Sequence, residues 1–155
     1  MSAVEKRKVN NNISRYHDYG IYVPNKTIHI VGDIDINTFN DTLTNLHALD
    51  SYDGTINIFI ASEGGECEYG LGIYDAIKGC RNNVRGLVYS GVSSMASIIF
   101  QACDERLMSP HSYMMVHMGV DGAGEDHPIN KERWDVYKKK VMTKQLDDIL
   151  YQIRS

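Results

Sequence analysis

Short apolar runs alternate along this chain with segments of helical spacing, and this alternation restricts the fold more than any other feature. Runs 27–31, 55–61 and 84–89 are typical of buried strands, and helical segments lie between them. The connections are short enough for right-handed parallel crossovers. The sequence therefore predicts an α/β domain with a mostly parallel sheet and flanking helices.

The ends of the predicted elements follow from local signals. The first strand is expected to end at Gly32-Asp33, and Asn37 is expected to cap the helix after it. A second helix is expected from about Cys67 to Lys78, and two short strands at 105–109 and 112–117. The inward positions of the two helices are predicted to be Phe39, Leu43, Leu46, Tyr69, Ile73, Ala76 and Ile77.

Three parts of the chain differ in character. Residues 1–20 are polar and predicted to be a mobile tail, and residues 21–127 form the predicted core. Residues 128–155 have the apolar spacing of one long helix with nothing after it to cover it. Such a helix is expected to dock onto another subunit.

Composition narrows the function. Of the 155 residues 43% are apolar, the net charge is −4, and there is no large basic block, so nucleic acid is not an expected partner. No apolar stretch approaches the roughly 20 residues of a membrane span, and the N-terminus lacks a signal-peptide core. Three cysteines without metal-ligand spacing indicate unpaired thiols, no metal and a reducing cytoplasm.

Segment 91–97 is the main candidate for chemistry. It follows the apolar run 84–89, leads into the apolar run 98–102, and contains Ser93 and Ser94. A serine where a strand turns into a helix can be held exposed beside backbone N–H groups. Such a serine needs a base and an oxyanion site, and His117 and the pair Gly64-Gly65 each end another apolar run.

Each of these residues also has a plainer interpretation. The serines could cap the helix that follows, His117 could be a core histidine, and the glycines could form a simple turn. Their combination favours a site, because ligands of α/β sheets bind at the carboxyl ends of the strands. The Gly-Lys-Ser/Thr ending of a phosphate-binding loop is missing after Gly65, and no cofactor is expected. Cys103 is expected to be a buried packing residue.

Four motifs together resemble one family. They are Ala61-Ser62-Glu63-Gly64-Gly65, Gly72-Ile73-Tyr74-Asp75-Ala76-Ile77, Gly91-Val92-Ser93-Ser94-Met95-Ala96 and Met114-Met115-Val116-His117. In this order they resemble the proteolytic subunit of the Clp protease, in register from about Thr27 to the end. The resemblance implies the ClpP/crotonase-like fold, with residues 128–155 as its handle helix.

The same resemblance implies roles for individual residues. Ser94, directly before the methionine, matches the nucleophile, and His117 matches the general base. The N–H groups of Gly65 and Met95 match the oxyanion donors. Implied partners are six further copies in a heptameric ring, a second ring met through the handle, a separate AAA+ unfoldase ATPase, and polypeptide substrates that bind as an added strand.

Two departures from the family pattern affect these expectations. Glu63 stands where the family usually has proline, so the glycine turn loses that restraint. The family's catalytic aspartate lies beyond the handle helix, and the sequence stops at Ser155; Asp147 and Asp148 match no motif. Losing that aspartate costs other triads about 10⁴-fold in kcat, or roughly 5.5 kcal/mol. The 155-residue chain alone is therefore expected to be a very weak peptidase.

The predicted function is that of a cytoplasmic serine endopeptidase, the proteolytic subunit of an ATP-dependent Clp-type protease. Two alternatives remain open. The chain could be a catalytically silent ring subunit that assembles with an active paralogue. It could also be a crotonase-like acyl-CoA enzyme, because that superfamily resembles this fold and its oxyanion geometry.

Overall fold

The computed structural model describes residues 18–117, and the structural statements below concern these residues. The predictions for the tail up to residue 17, for the handle helix 128–155 and for Asp147 and Asp148 lie outside them. In chain order the elements are β1 (Ile21–Tyr22), a 3-10 turn (Val23–Asn25), β2 (Thr27–Ile34), α1 (Ile36–Asp50), β3 (Ile56–Gly65), α2 (Cys67–Lys78), β4 (Val84–Val88), β5 (Gly91–Ser93), α3 (Ser94–Ala102), β6 (Glu105–Met108) and β7 (Tyr113–Met115).

The seven described strands form a mostly parallel sheet, as predicted. Strands β1, β2, β3, β4 and β6 follow one another across it, and only β1 pairs antiparallel. Strand β3 pairs with β4 through its first half and with β5 near its end, where Ser62 lies opposite Val92. Strand β7 pairs parallel with β5. The sheet therefore has a second branch, β3–β5–β7, beyond the end of β4.

One face of the sheet is buried under the helices. Alternate residues of β3, Ile56, Ile58 and Ile60, are fully buried, as expected of a strand with one covered face. On the opposite face the rings of His29, Phe59 and Tyr89 lie in a row, with centroid separations of 4.7 and 5.5 Å. Tyr89 is 65% exposed, so this second face is open in the described part of the chain.

The prediction for the end of β2 was wrong. The strand continues through Gly32-Asp33 to Ile34. Its register against β3 shifts between Val31 and Asp33, and Gly32 at φ +87° accommodates the bulge. Gly32 is therefore a bulge inside the strand and not its end, because Asp33 and Ile34 pair again with β3.

The predicted helix cap was also wrong by two residues. Asp35 is the N-cap of α1, because its Oδ1 accepts a hydrogen bond from the Thr38 N–H at 2.9 Å. Asn37 is already inside the helix. The inward positions are confirmed: Leu46, Ile73 and Ile77 are buried in the core, and Phe39, Leu43, Tyr69 and Ala76 pack against it. The predicted bounds of α2 agree with the structure.

Candidate active site

Three strands that precede the predicted site residues end at one edge of the sheet. Because β3, β5 and β7 are parallel, with Ser62 opposite Val92 and Ser93 opposite Met115, their carboxyl ends point the same way. Segment 91–93, predicted as part of a turn, is itself a short strand, and α3 begins directly at Ser94. Pairing explains the difference, since β7 lies opposite all three residues and β3 lies opposite Val92.

Ser94 occupies a strained position between β5 and α3. Its φ of +51° lies in the left-handed region, and Lys26 is the one other non-glycine residue of the described chain with positive φ. Such a conformation costs about 1–3 kcal/mol and persists only where the surroundings enforce it. A serine on a sharp, strained strand-to-helix turn presents its hydroxyl to the space above the sheet edge.

Ser93 has a different environment. It is 1% exposed and occupies the N-cap position of α3, yet its side chain makes no capping hydrogen bond. Its Oγ has no hydrogen-bond partner within residues 18–117. Ser93 therefore occupies the cap position that the plainer interpretation gave it, but its buried hydroxyl does not cap α3 through a hydrogen bond.

Gly64 lies directly against the Ser94 turn. A Cβ placed on Gly64 would be 2.8 Å from Ser94 Cβ and 3.0 Å from both Met95 N and Ser93 O. Its φ of +106° also disfavours any L side chain. The glycine thus lets the end of β3 approach the serine and the first amides of α3. The sequence indicated the pair Gly64-Gly65 as a candidate oxyanion site, but not this close approach of Gly64 to Ser94.

Gly65 and Met95, the residues matched to the oxyanion donors, flank this contact. Glu66 donates its N–H to Ile34 O at 2.8 Å, and a Cβ on Gly65 would lie 2.7 Å from Ile34 N, so the backbone at Gly65 packs tightly against the end of β2. Met95 follows Ser94 in the first turn of α3, where helix N–H groups lack partners within the helix. A Cβ on Gly70 of α2 would lie 3.1 Å from Met95 Sδ, so α2 packs closely on this methionine.

His117 is exposed and lies two residues beyond Met115, the last residue of β7. In the sequence it thus follows the strand that pairs with the strand preceding Ser94.

A polar pair that the sequence did not indicate lies beside these residues. Tyr113 Oη donates a hydrogen bond to Glu63 Oε1 at 2.6 Å, although the two residues are 50 positions apart. This bond holds the pKa of Glu63 below its ordinary value, and the nearby carboxylate raises the pKa of Tyr113. Glu63 is therefore ionised and Tyr113 protonated at neutral pH.

Cys80 and Cys103 are not candidate nucleophiles. Burial raises the pKa of Cys103 to about 12 and that of Cys80 to about 11, which keeps both thiols protonated. All three cysteines are unpaired, as predicted, and Cys103 is buried. Among residues 18–117 no cluster of histidine, cysteine and carboxylate side chains could hold a metal ion. Within the same range no helix is long and apolar enough to cross a membrane.

Together these features define an α/β protein that carries a serine on a strained strand-to-helix turn, with backbone amides of a glycine turn and a helix start beside it. Comparison with known proteins gives the family. The Clp protease family model matches residues 10–151, and the chain belongs to this family. The resemblance found in the sequence and the ClpP-like fold are thus both confirmed, and the family is one of peptidases.

Individual relatives support the assignment to this family. The ATP-dependent Clp protease proteolytic subunit of Bacteroides fragilis is 30% identical over 147 residues, which are 90% of this chain and 70% of that protein. The subunit of the same name from Streptococcus sanguinis is 28% identical over 113 residues, or 70% of this chain and 58% of that protein. The structure of ClpP1 from Listeria monocytogenes has a TM-score of 0.61 at 28% identity, covering 75% of this chain and 70% of that one. The structure of a mutant of that protein has a TM-score of 0.69 at 27% identity, covering 81% of this chain and 72% of that one.

Proposed function

We propose that this chain is a serine endopeptidase that acts as the proteolytic subunit of an ATP-dependent Clp-type protease. The observation that carries the proposal is the contact at the sheet edge. Ser94 stands in a left-handed turn with Gly64 against it, and the neighbouring strand β7 leads to His117. A hydroxyl, an imidazole and free amides are the groups that acyl transfer from a peptide bond requires.

The proposed reaction proceeds through an acyl-enzyme. Ser94 Oγ attacks the scissile carbonyl while His117 accepts its proton, and the N–H groups of Gly65 and Met95 stabilise the oxyanion. His117 then gives the proton to the departing amine as the C–N bond breaks. Water, deprotonated by His117, attacks the ester and releases the second fragment, which restores both residues.

We assign no orienting carboxylate for His117 within the 155 residues. In serine triads that carboxylate contributes about 10⁴-fold to turnover, so turnover depends on a residue that the proposal does not name. An assay of the serine itself is therefore more informative than an assay of peptide turnover. A fluorophosphonate probe needs only a reactive serine and an oxyanion site.

The proposed partners are further copies of this chain in heptameric rings and an AAA+ ATPase that delivers unfolded polypeptides. The proposed location is the cytoplasm. Two observations support assembly. The relatives are named as subunits of an ATP-dependent protease. On the open sheet face of the described residues, the apolar side chains Val31, Tyr89 and Leu107 are more than half exposed, as is common at interfaces.

The test is fluorophosphonate labelling of the assembled protein followed by peptide mapping. Labelling is expected at Ser94 and is expected to disappear in Ser94→Ala, whereas Ser93→Ala, a change to a buried neighbouring hydroxyl, should retain it. An assembled ring that never labels would contradict the proposal and indicate a silent subunit. Thioester turnover that persists in Ser94→Ala would indicate an acyl-CoA enzyme instead.

A further inference from the structure

The Glu63–Tyr113 hydrogen bond spans three strands at the candidate site. Because Ser62 lies opposite Val92, Glu63 of β3 is level with Ser93 of β5. Tyr113 of β7 lies opposite Gly91 of β5. A Cβ on Gly91 would fall 2.5 Å from Tyr113 Cε1 and 2.8 Å from its Oη, so the phenol ring lies directly over this glycine. The tyrosine thus crosses β5 and reaches the carboxylate on the far side.

The bond is charge-assisted and lies next to an unsatisfied hydroxyl. Tyr113 donates to an ionised carboxylate at 2.6 Å, a short distance typical of such bonds. The buried Ser93 hydroxyl lies close enough to contribute to the lowered pKa of Glu63, although its geometry falls short of a hydrogen bond. The pair thus lies at the surface, directly beside the buried hydroxyl of the residue that precedes Ser94.

Glu63 and Tyr113 lie on two strands that are not paired with each other. Within the described sheet β7 pairs only with β5, so β3 and β7 are not direct neighbours. Glu63 immediately precedes Gly64-Gly65, and Tyr113 precedes His117 by four residues. The side-chain bond consequently links the glycine turn to the strand that leads to the proposed base.

We infer that Glu63 and Tyr113 are positioning residues, whose hydrogen bond across β5 holds the Gly64-Gly65 turn and strand β7 in the relative position that the serine site needs. This inference rests on the proposed function for its effect on Ser94.

Two measurements test the inference. The first is the second-order rate of fluorophosphonate labelling at Ser94 in Tyr113→Phe, Glu63→Ala and the double variant. Each single variant is expected to label about three- to tenfold more slowly, as fits the loss of one hydrogen bond, and the double variant no more slowly than the slower single. Glu63→Gln, which keeps an acceptor oxygen, should recover part of the rate. Tyr52→Phe, at an exposed tyrosine in the turn before β3, is the matched control and should not change it.

The second measurement does not depend on activity. Hydrogen–deuterium exchange in peptides covering 62–66 and 112–116 should accelerate together in Tyr113→Phe and stay unchanged in Tyr52→Phe. Unchanged exchange, or labelling losses that add in the double variant, would overturn the inference. If the wild-type protein never labels, the proposed function fails, while the exchange result still decides whether the pair tethers the two segments.

Discussion

Replacing Gly64 by alanine tests the close approach on which the candidate site depends. The new Cβ would lie 2.8 Å from Ser94 Cβ, whereas ordinary contact begins at 3.4 Å, so one side must move by about 0.6 Å. A misplacement of 1 Å at an active site can cost about 10²-fold in rate. We therefore expect Gly64→Ala to slow labelling of Ser94 by about ten- to a hundredfold.

The stability of this variant should fall for two reasons that can be separated. Alanine at φ +106° costs about 1–3 kcal/mol through the backbone alone, and the forced contact adds about 1–3 kcal/mol. Gly54 is the matched control, because its φ is +112° and the nearest atom to a Cβ there is Lys26 Cδ at 3.8 Å. Gly54→Ala should show only the backbone cost and leave labelling unchanged.

The assays are urea denaturation for the free energy of unfolding and fluorophosphonate labelling at a temperature well below the transition. The difference in unfolding free energy between the two variants isolates the contact at Ser94. The reasoning is refuted if Gly64→Ala loses no more stability than Gly54→Ala and labels as fast as the wild-type protein.

Two further predictions concern titrating groups. The Thr38 N–H holds the pKa of Asp35 below its ordinary value of 3.8, so the cap stabilises the fold above that pH and this contribution is lost as the pH falls through the lowered pKa. In urea denaturation between pH 2 and 6, the free energy of unfolding should therefore fall toward acid pH, and it should fall less in Asp35→Asn than in the wild-type protein. Equal decreases in the two proteins would contradict this account. At pH 8 a pKa of about 12 leaves roughly one Cys103 thiol in 10⁴ ionised. Ellman's reagent should thus modify Cys103 only as fast as the chain unfolds, and reaction at the rate of an exposed thiol would disprove its burial.

Local patterns were sufficient for much of the architecture. The helical spacing of Tyr69, Ile73 and Ile77 predicted the inward face of α2 correctly, because a helix buries residues three and four positions apart. The alternation of strands and helices likewise predicted the parallel sheet, since short right-handed crossovers leave few other arrangements. The sequence also predicted that Ser94 lies between a strand and a helix, but it did not predict the short strand β5 directly before it.

What the tertiary structure alone decided involves residues distant in the sequence. The strand at 91–93, the extension of β3 to Gly65, the contact of Gly64 with Ser94 and the Glu63–Tyr113 bond each join segments about 30 to 50 positions apart. Spacing along the chain reports which face a residue belongs to, but not which residue of another strand lies opposite it. That partner depends on the register of the assembled sheet. The elements of this protein are thus determined locally, and the geometry of its site is determined by how those elements pair.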